Sequence, residues 1–164
     1  MTLCPFVSRM KEESAGRLFP YFATSIVVVT TFLCFVLTKA TSTYVGGLFW
    51  PYFSDIGRDV PMYYIVSVGL TLSAILLALS WIIYYRRVKG IIETTPDAEG
   101  LKCKNKLAAT FGALSTLGMP TLAILDTANF PSIHNMAAYY FVAFQIPAVY
   151  LNVSTECASC GTQG

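Results

Sequence analysis

Residues 62–85 read MYYIVSVGLTLSAILLALSWIIYY, and Arg86 and Arg87 follow at once. An uncharged apolar stretch of this length suits a hydrocarbon layer about 30 Å thick, which takes about 20 helical residues at a rise of ~1.5 Å each. Three more runs without Asp, Glu, Lys or Arg share the chain with it: Phe19 to Leu37, Leu107 to Leu125 and Ile133 to Val153. The expected fold is therefore all-α, a polytopic transmembrane helical bundle of four spans. With 55% hydrophobic and 12% charged residues, the chain holds about half the charge of a soluble domain. A flank over residues 1–18, a membrane domain over 19–153 and a short polar tail over 154–164 leave no stretch long enough for a separate soluble domain.

Orientation follows from the basic residues, because cytoplasmic flanks carry the excess of Lys and Arg. The N-terminal flank holds Arg9, Lys11 and Arg17, the first loop Lys39 and Arg58, and the second loop Arg86, Arg87, Lys89, Lys102, Lys104 and Lys106; the third loop and the tail hold none. That alternation puts both termini and the second loop in the cytosol, with the first and third loops on the opposite face. The first run could instead be a signal peptide, but it is longer than the usual h-region. Tyr63 and Tyr64 at the start of the second run, and Trp81, Tyr84 and Tyr85 at its end, suit the headgroup level.

Small residues recur within the spans at helical spacing, as in Gly69 and Ser73, Ala74 and Ala78, Ala108 and Gly112, and Ala109 and Ala113. Such spacing lets backbones approach closely and predicts bundle packing. Pro120 and Pro147 each remove a backbone donor and are expected to kink their spans. The spans contain no ionisable Asp, Glu, Lys or Arg, which disfavours proton relays and ion paths.

The polar chemistry gathers in the first and third loops. The first includes Pro51-Tyr52-Phe53-Ser54-Asp55-Ile56-Gly57-Arg58-Asp59-Val60-Pro61, and the third runs from Asp126 to Asn135 and contains His134. Ser-Asp-x-Gly is a turn sequence, since Asp can bond the backbone two residues on and Gly accepts positive φ. Together with a second span that ends Tyr84-Tyr85-Arg86-Arg87 and with His134-Asn135 opening the fourth, this loop resembles the DRAM/Frag/Sfk family. The resemblance in motif order and spacing covers roughly Phe19 to Leu151. It marks Pro51, Tyr52, Ser54, Asp55, Gly57, Pro61 and His134 as family motif positions, with no catalytic role attached to them.

What the resemblance implies is an integral protein of endomembranes (lysosome, Golgi or ER) or the plasma membrane, acting in membrane trafficking, autophagy or lipid homeostasis. Family members usually have six spans, so the last two are expected to be missing from this chain. The expected function is that of a non-enzymatic membrane regulator. The alternative is a lipid-modifying or GPI-anchor-remodelling enzyme with a site around His134 and Asp55, in which Asp59 or Asp126 could also serve. A zinc-type lipid hydrolase needs several ligands and an open position, and this chain has one His.

The other polar features are weaker. Cys157 and Cys160 form a C-x-x-C that supplies half a zinc site, with nothing to complete it. Juxtamembrane Arg86, Arg87, Lys89, Lys102, Lys104 and Lys106 are candidates for contact with anionic lipids, and they also serve topology. The expected partners are the bilayer, such lipids and other membrane proteins; no nucleic acid, cofactor, metal or catalytic residue is expected.

Overall fold

A computed structural model describes residues 5–41, 53–93 and 99–161. Its elements, in chain order, are α1 (Pro5–Ala40), α2 (Phe53–Ile56), α3 (Met62–Ile92), α4 (Glu99–Ser115), α5 (Gly118–Ile124) and α6 (Pro131–Gly161), and no strand occurs among the described residues. Four stretches are long and apolar enough to cross a membrane: Leu18–Ala40, Met62–Ile92, Glu99–Ile124 and Pro131–Ala158. The protein is thus an all-α polytopic bundle.

The helices overrun the apolar runs at their polar ends. α3 continues through Arg86 and Arg87 to Ile92, α4 starts at Glu99, well before Leu107, and α6 passes Val153 to reach Gly161. Apolarity stops where headgroups begin, but an established helix propagates through Lys, Arg and Glu, which are good helix formers.

The two prolines behave differently. Pro120 has no N–H for the Thr116 carbonyl, and its ring crowds that carbonyl, so the third span parts at Thr116 and Leu117 and resumes as α5. The Ser115 and Thr116 hydroxyls turn back on the Gly112 and Ala113 carbonyls, both at 2.7 Å, and tighten the last turn of α4. Pro147 lies inside α6 without ending it. Its preceding turn, Ala143-Phe144-Gln145-Ile146, has no Gly or hydroxyl residue to take up a break.

The helices lie in a row: α1 packs on α3, α3 on α4 and α5, and these on α6. Small and hydroxyl residues make the close contacts. Between α1 and α3, Thr30 faces Gly69, where a Cβ would overlap the Thr30 side chain, and Ser73 Oγ donates to the Ala23 carbonyl at 3.1 Å. Between α3 and α4, the indole of Trp81 lies flat against Gly112, leaving no room for a Cβ there. Between α4 and α6, Ser115 Oγ stands 2.7 Å from Gln145 Oε1, so the one amide side chain in mid-span has a buried partner. The expected small-residue packing is present at Gly69, Ser73, Ala74, Ala108 and Gly112, all of which are buried.

Cys34, Ile56, Met62, Val66, Leu70 and Ala123 form the main buried cluster, which joins α1, α2, α3 and α5. It lies at the end of the bundle where the first and third loops meet. Val88 and Ile92, with Tyr84 and Leu101 against them, make a smaller cluster at the other end.

Candidate functional site

The first loop is held to the bundle by one apolar side chain. Ile56, 5% exposed, enters the main cluster, and the turn around it closes through Arg58 N–H donating to the Asp55 carbonyl at 3.3 Å. Gly57 is not in the left-handed region. What it supplies is room, since a Cβ there would stand 3.0 Å from Val66 Cγ2 and 3.2 Å from Val66 Cβ. Val60 and Pro61 are joined by a cis peptide, and α3 starts directly after it.

Arg58 pairs with its neighbour Asp59, Nη2 to Oδ2 at 3.2 Å. That hydrogen bond raises the guanidinium pKa above its ordinary value, with smaller contributions from the charges of Asp55 and of Asp126 in the third loop.

The organising feature is the end of α5. A helix leaves its last carbonyls without intrahelical donors, and next to hydrocarbon each such group is costly. Here three consecutive carbonyls each receive a side-chain donor. Ser67 Oγ donates to Ala123 O at 3.0 Å, Tyr63 OH to Ile124 O at 2.9 Å, and His134 Nδ1 lies 2.9 Å from Leu125 O. A carbonyl can only accept, so Nδ1 carries a proton and donates it to Leu125 O. Ser67 and Tyr63 are four apart on α3 and so share a face; His134 comes from the first turn of α6. The broken third span is tied at this point to both of its neighbours.

Asp126 closes the connection from α5 to α6. Its Oδ1 accepts from Ala128 N at 2.8 Å and Asn129 N at 2.7 Å, and its Oδ2 accepts from Asn129 Nδ2 at 2.8 Å. The side-chain bond from Asn129 leads in holding this carboxyl below its ordinary range, helped by the two backbone N–H groups and by the nearby His134. With a folded pKa below the unfolded value of about 3.9, the turn contributes stability at higher pH that is lost as pH falls through the folded value. Asp126→Ala should therefore lower the unfolding midpoint at neutral pH and flatten its decline below about pH 4. Because the group is largely exposed, the loss should stay within about 1 kcal/mol; pH-dependent melts of both proteins check it.

Ser54, Gly57, Asp126 and His134 line one small cavity, together with Val66, Leu122 and Ala123. Its volume is about 10 Å³, enough for no more than about one water. Of the motif positions, Ser54, Gly57 and His134 are thus brought together, and Pro61 starts the helix that supplies two of the caps. Asp55 and Asp59 do not line the cavity, so the carboxylate beside His134 is Asp126. Pro51 and Tyr52 lie outside the described residues. Ser67 and Leu125 belong to the site without having been singled out by sequence, and so does Tyr63, which the sequence marked only as a headgroup-level aromatic; the spacing of Tyr63 and Ser67 was a signal that could have found them.

The basic residues of the second loop are all exposed. Lys89 pairs with Glu93 at 3.8 Å and Lys102 with Glu99 at 2.7 Å. On α4, Lys102 and Lys106 are four apart and share a flank, while Lys104 points elsewhere. Cys157 is exposed, and the Cys160 side chain lies outside the described set. No group of three His, Cys, Asp or Glu suited to a metal occurs among the described residues.

Comparison with curated proteins and with solved structures gave no match. The family model described as the Frag1/DRAM/Sfk1/Cwh43P N-terminal domain matches residues 15–160, which takes in all four spans, the Ser54 to Gly57 turn and the three-carbonyl cap with His134. By that match this chain belongs to the Frag1/DRAM/Sfk1 family of membrane proteins.

Proposed function

We propose that this protein is a non-enzymatic integral membrane regulator of membrane trafficking, autophagy or lipid homeostasis, with both termini in the cytosol of an endomembrane or plasma membrane. The observation that carries the reading is the use made of His134: its Nδ1 proton is held by the Leu125 carbonyl, as one of three caps on a broken span. Among the described residues, Asp126 is the only carboxylate that lines the cavity; it already accepts three bonds from its own turn, and the hollow it shares with His134 holds one water at most. Such a site supports a fixed loop surface for contact with a partner better than it supports turnover of a lipid headgroup. The charge-free spans favour the same reading, since they offer no relay.

The enzymatic alternative rests on Ser54, His134 and Asp126 sharing that cavity, with His134 Nε2 as the base. Ser54→Ala discriminates, because a half-buried hydroxyl removed at this position should alter stability by no more than about 0.5 kcal/mol. Expressed in cells that lack the native protein, it should restore autophagic flux and leave membrane lipid composition, GPI lipids included, as the unaltered chain does. A shifted lipid composition at unchanged abundance and location would overturn the regulator reading.

A further inference from the structure

α6 carries an amide in the middle of its membrane crossing. Gln145 lies 14 residues from one end of the stretch Pro131–Ala158 and 13 from the other, about 20 Å from either end at ~1.5 Å per residue. Its side chain is too short to reach headgroups from there. Among the described residues its one partner is the Ser115 hydroxyl, at 2.7 Å. A primary amide has two N–H donors and an acceptor oxygen, so whichever way this amide is turned at least one N–H is left over. Gln145 is half-buried, and its nitrogen is not enclosed by the bundle. A donor at the centre of the hydrocarbon has no water to take it and calls for an acceptor from outside the bundle.

The surface around this amide faces lipid. α6 closes the row of helices on one side and has the smallest buried share of the four crossings, 11%. Tyr139, Val142, Ile146, Val149 and Val153 are all exposed, and their alternating steps of three and four place them in one stripe down the helix. Gln145 borders the stripe on one flank. Tyr150, 71% exposed, borders it on the other, and its hydroxyl has no partner among the described residues.

Depth and chemistry together select the occupant. Every copy of the chain inserts with the same orientation, so two copies present Gln145 and Tyr150 at matching depths. In a parallel pair packed along a stripe of this spacing, the residue just before a stripe position reaches the residue five places on in the other helix. From Gln145, that residue is Tyr150. The amide N–H donates to the phenol oxygen, and a two-fold axis makes the same bond twice. An acyl chain supplies no acceptor at this depth, and an unrelated helix would have to carry one at the same level by coincidence.

We propose that the α6 stripe from Tyr139 to Val153 is the interface of a parallel homodimer in the membrane, pinned by a bond from Gln145 Nε2 of each copy to Tyr150 Oη of the other. This goes beyond the regulatory reading and does not depend on it. Lipid tails are as apolar as the stripe, so its side chains contribute van der Waals packing while the two polar bonds set the register.

The test is the monomer–dimer equilibrium of the full chain in liposomes, read by energy transfer between C-terminally labelled copies as the protein is diluted in lipid. Gln145→Leu and Tyr150→Phe should each weaken the dimer about ten-fold. Combined, they should weaken it no further than the stronger of the two, because they remove the same bonds. Tyr150→Phe carries the test alone if Gln145→Leu, which loses the Ser115 contact, does not fold. A photo-crosslinking residue at Val149 should give a covalent dimer, and one at the exposed Val28 of α1 should not. A chain that stays monomeric, a dimer indifferent to both substitutions, or cross-linking through Val28 in place of Val149 would overturn the interface. Losses that add would overturn the pairing of Gln145 with Tyr150, and capture of a different protein at Val149 in native membranes would overturn the second copy as the occupant.

Discussion

Gly112→Val is expected to cost the protein about 3 kcal/mol, read as an earlier midpoint in denaturant unfolding from detergent micelles. A Cβ at this position would overlap the fused bond of the Trp81 indole, not the tip of a flexible chain. Trp81 is 6% exposed, and its ring also meets Tyr84 edge-on with centroids 6.1 Å apart, so it has little freedom to withdraw. Relief would require α3 and α4 to separate, and Asn105 Nδ2 ties α4 to the Tyr85 carbonyl at 3.1 Å one turn further along. Trp81→Ala alone should cost about 3–5 kcal/mol through the cavity it leaves. Combined with Gly112→Val, it should cost less than the two losses added together, because the valine enters the vacated space. An unchanged midpoint for Gly112→Val would mean that α4 does not pack on α3 through this glycine.

His134→Ala should destabilise by about 2–4 kcal/mol, because it leaves the Leu125 carbonyl without a donor and empties the site of a residue that is only 7% exposed. His134→Asn offers an amide N–H in nearly the place of Nδ1 and should recover about half of the loss. Hydrogen exchange of the α5 amides is the direct reading. They should exchange faster in His134→Ala and regain part of their protection in His134→Asn, since α5 is a short helix held at its end by three side chains. If His134→Ala kept its stability and α5 protection but changed membrane lipid composition, the imidazole would be serving chemistry and not the fold, and the proposed function would fall with it.

Much of this architecture was legible in the residue order. Four uncharged runs specify four spans, and the first and third loops do share one end of the bundle, as alternating spans require. The small residues at Gly69, Ser73, Ala108 and Gly112 mark the contact faces, because close backbone approach needs short side chains wherever the helices happen to meet. The Ser54 to Gly57 element and His134 could be identified as parts of one family pattern before their proximity was known. What hydropathy did not reveal was where the helices end, since headgroup depth limits apolarity while backbone bonding limits helices.

The site itself depends on tertiary contact. Asp55 is the carboxylate nearest to the motif in sequence, yet Asp126 lies beside His134, because the loop turns inward on Ile56 and the third loop folds over it. Gly57 was expected to supply a positive φ and instead supplies clearance for Val66. Pro120 breaks its span and Pro147 does not, although each lacks the same N–H; hydroxyls at Ser115 and Thr116 and a glycine at 118 were available to absorb the first. The chain's own order determined the number, length and alternation of the spans, because burial in hydrocarbon is a property of each segment taken singly. Only the tertiary structure decided that Ser67, Tyr63 and His134 would cap three successive carbonyls, because an orphan acceptor is satisfied by whichever donors the packing brings within about 3 Å, and those come from different helices.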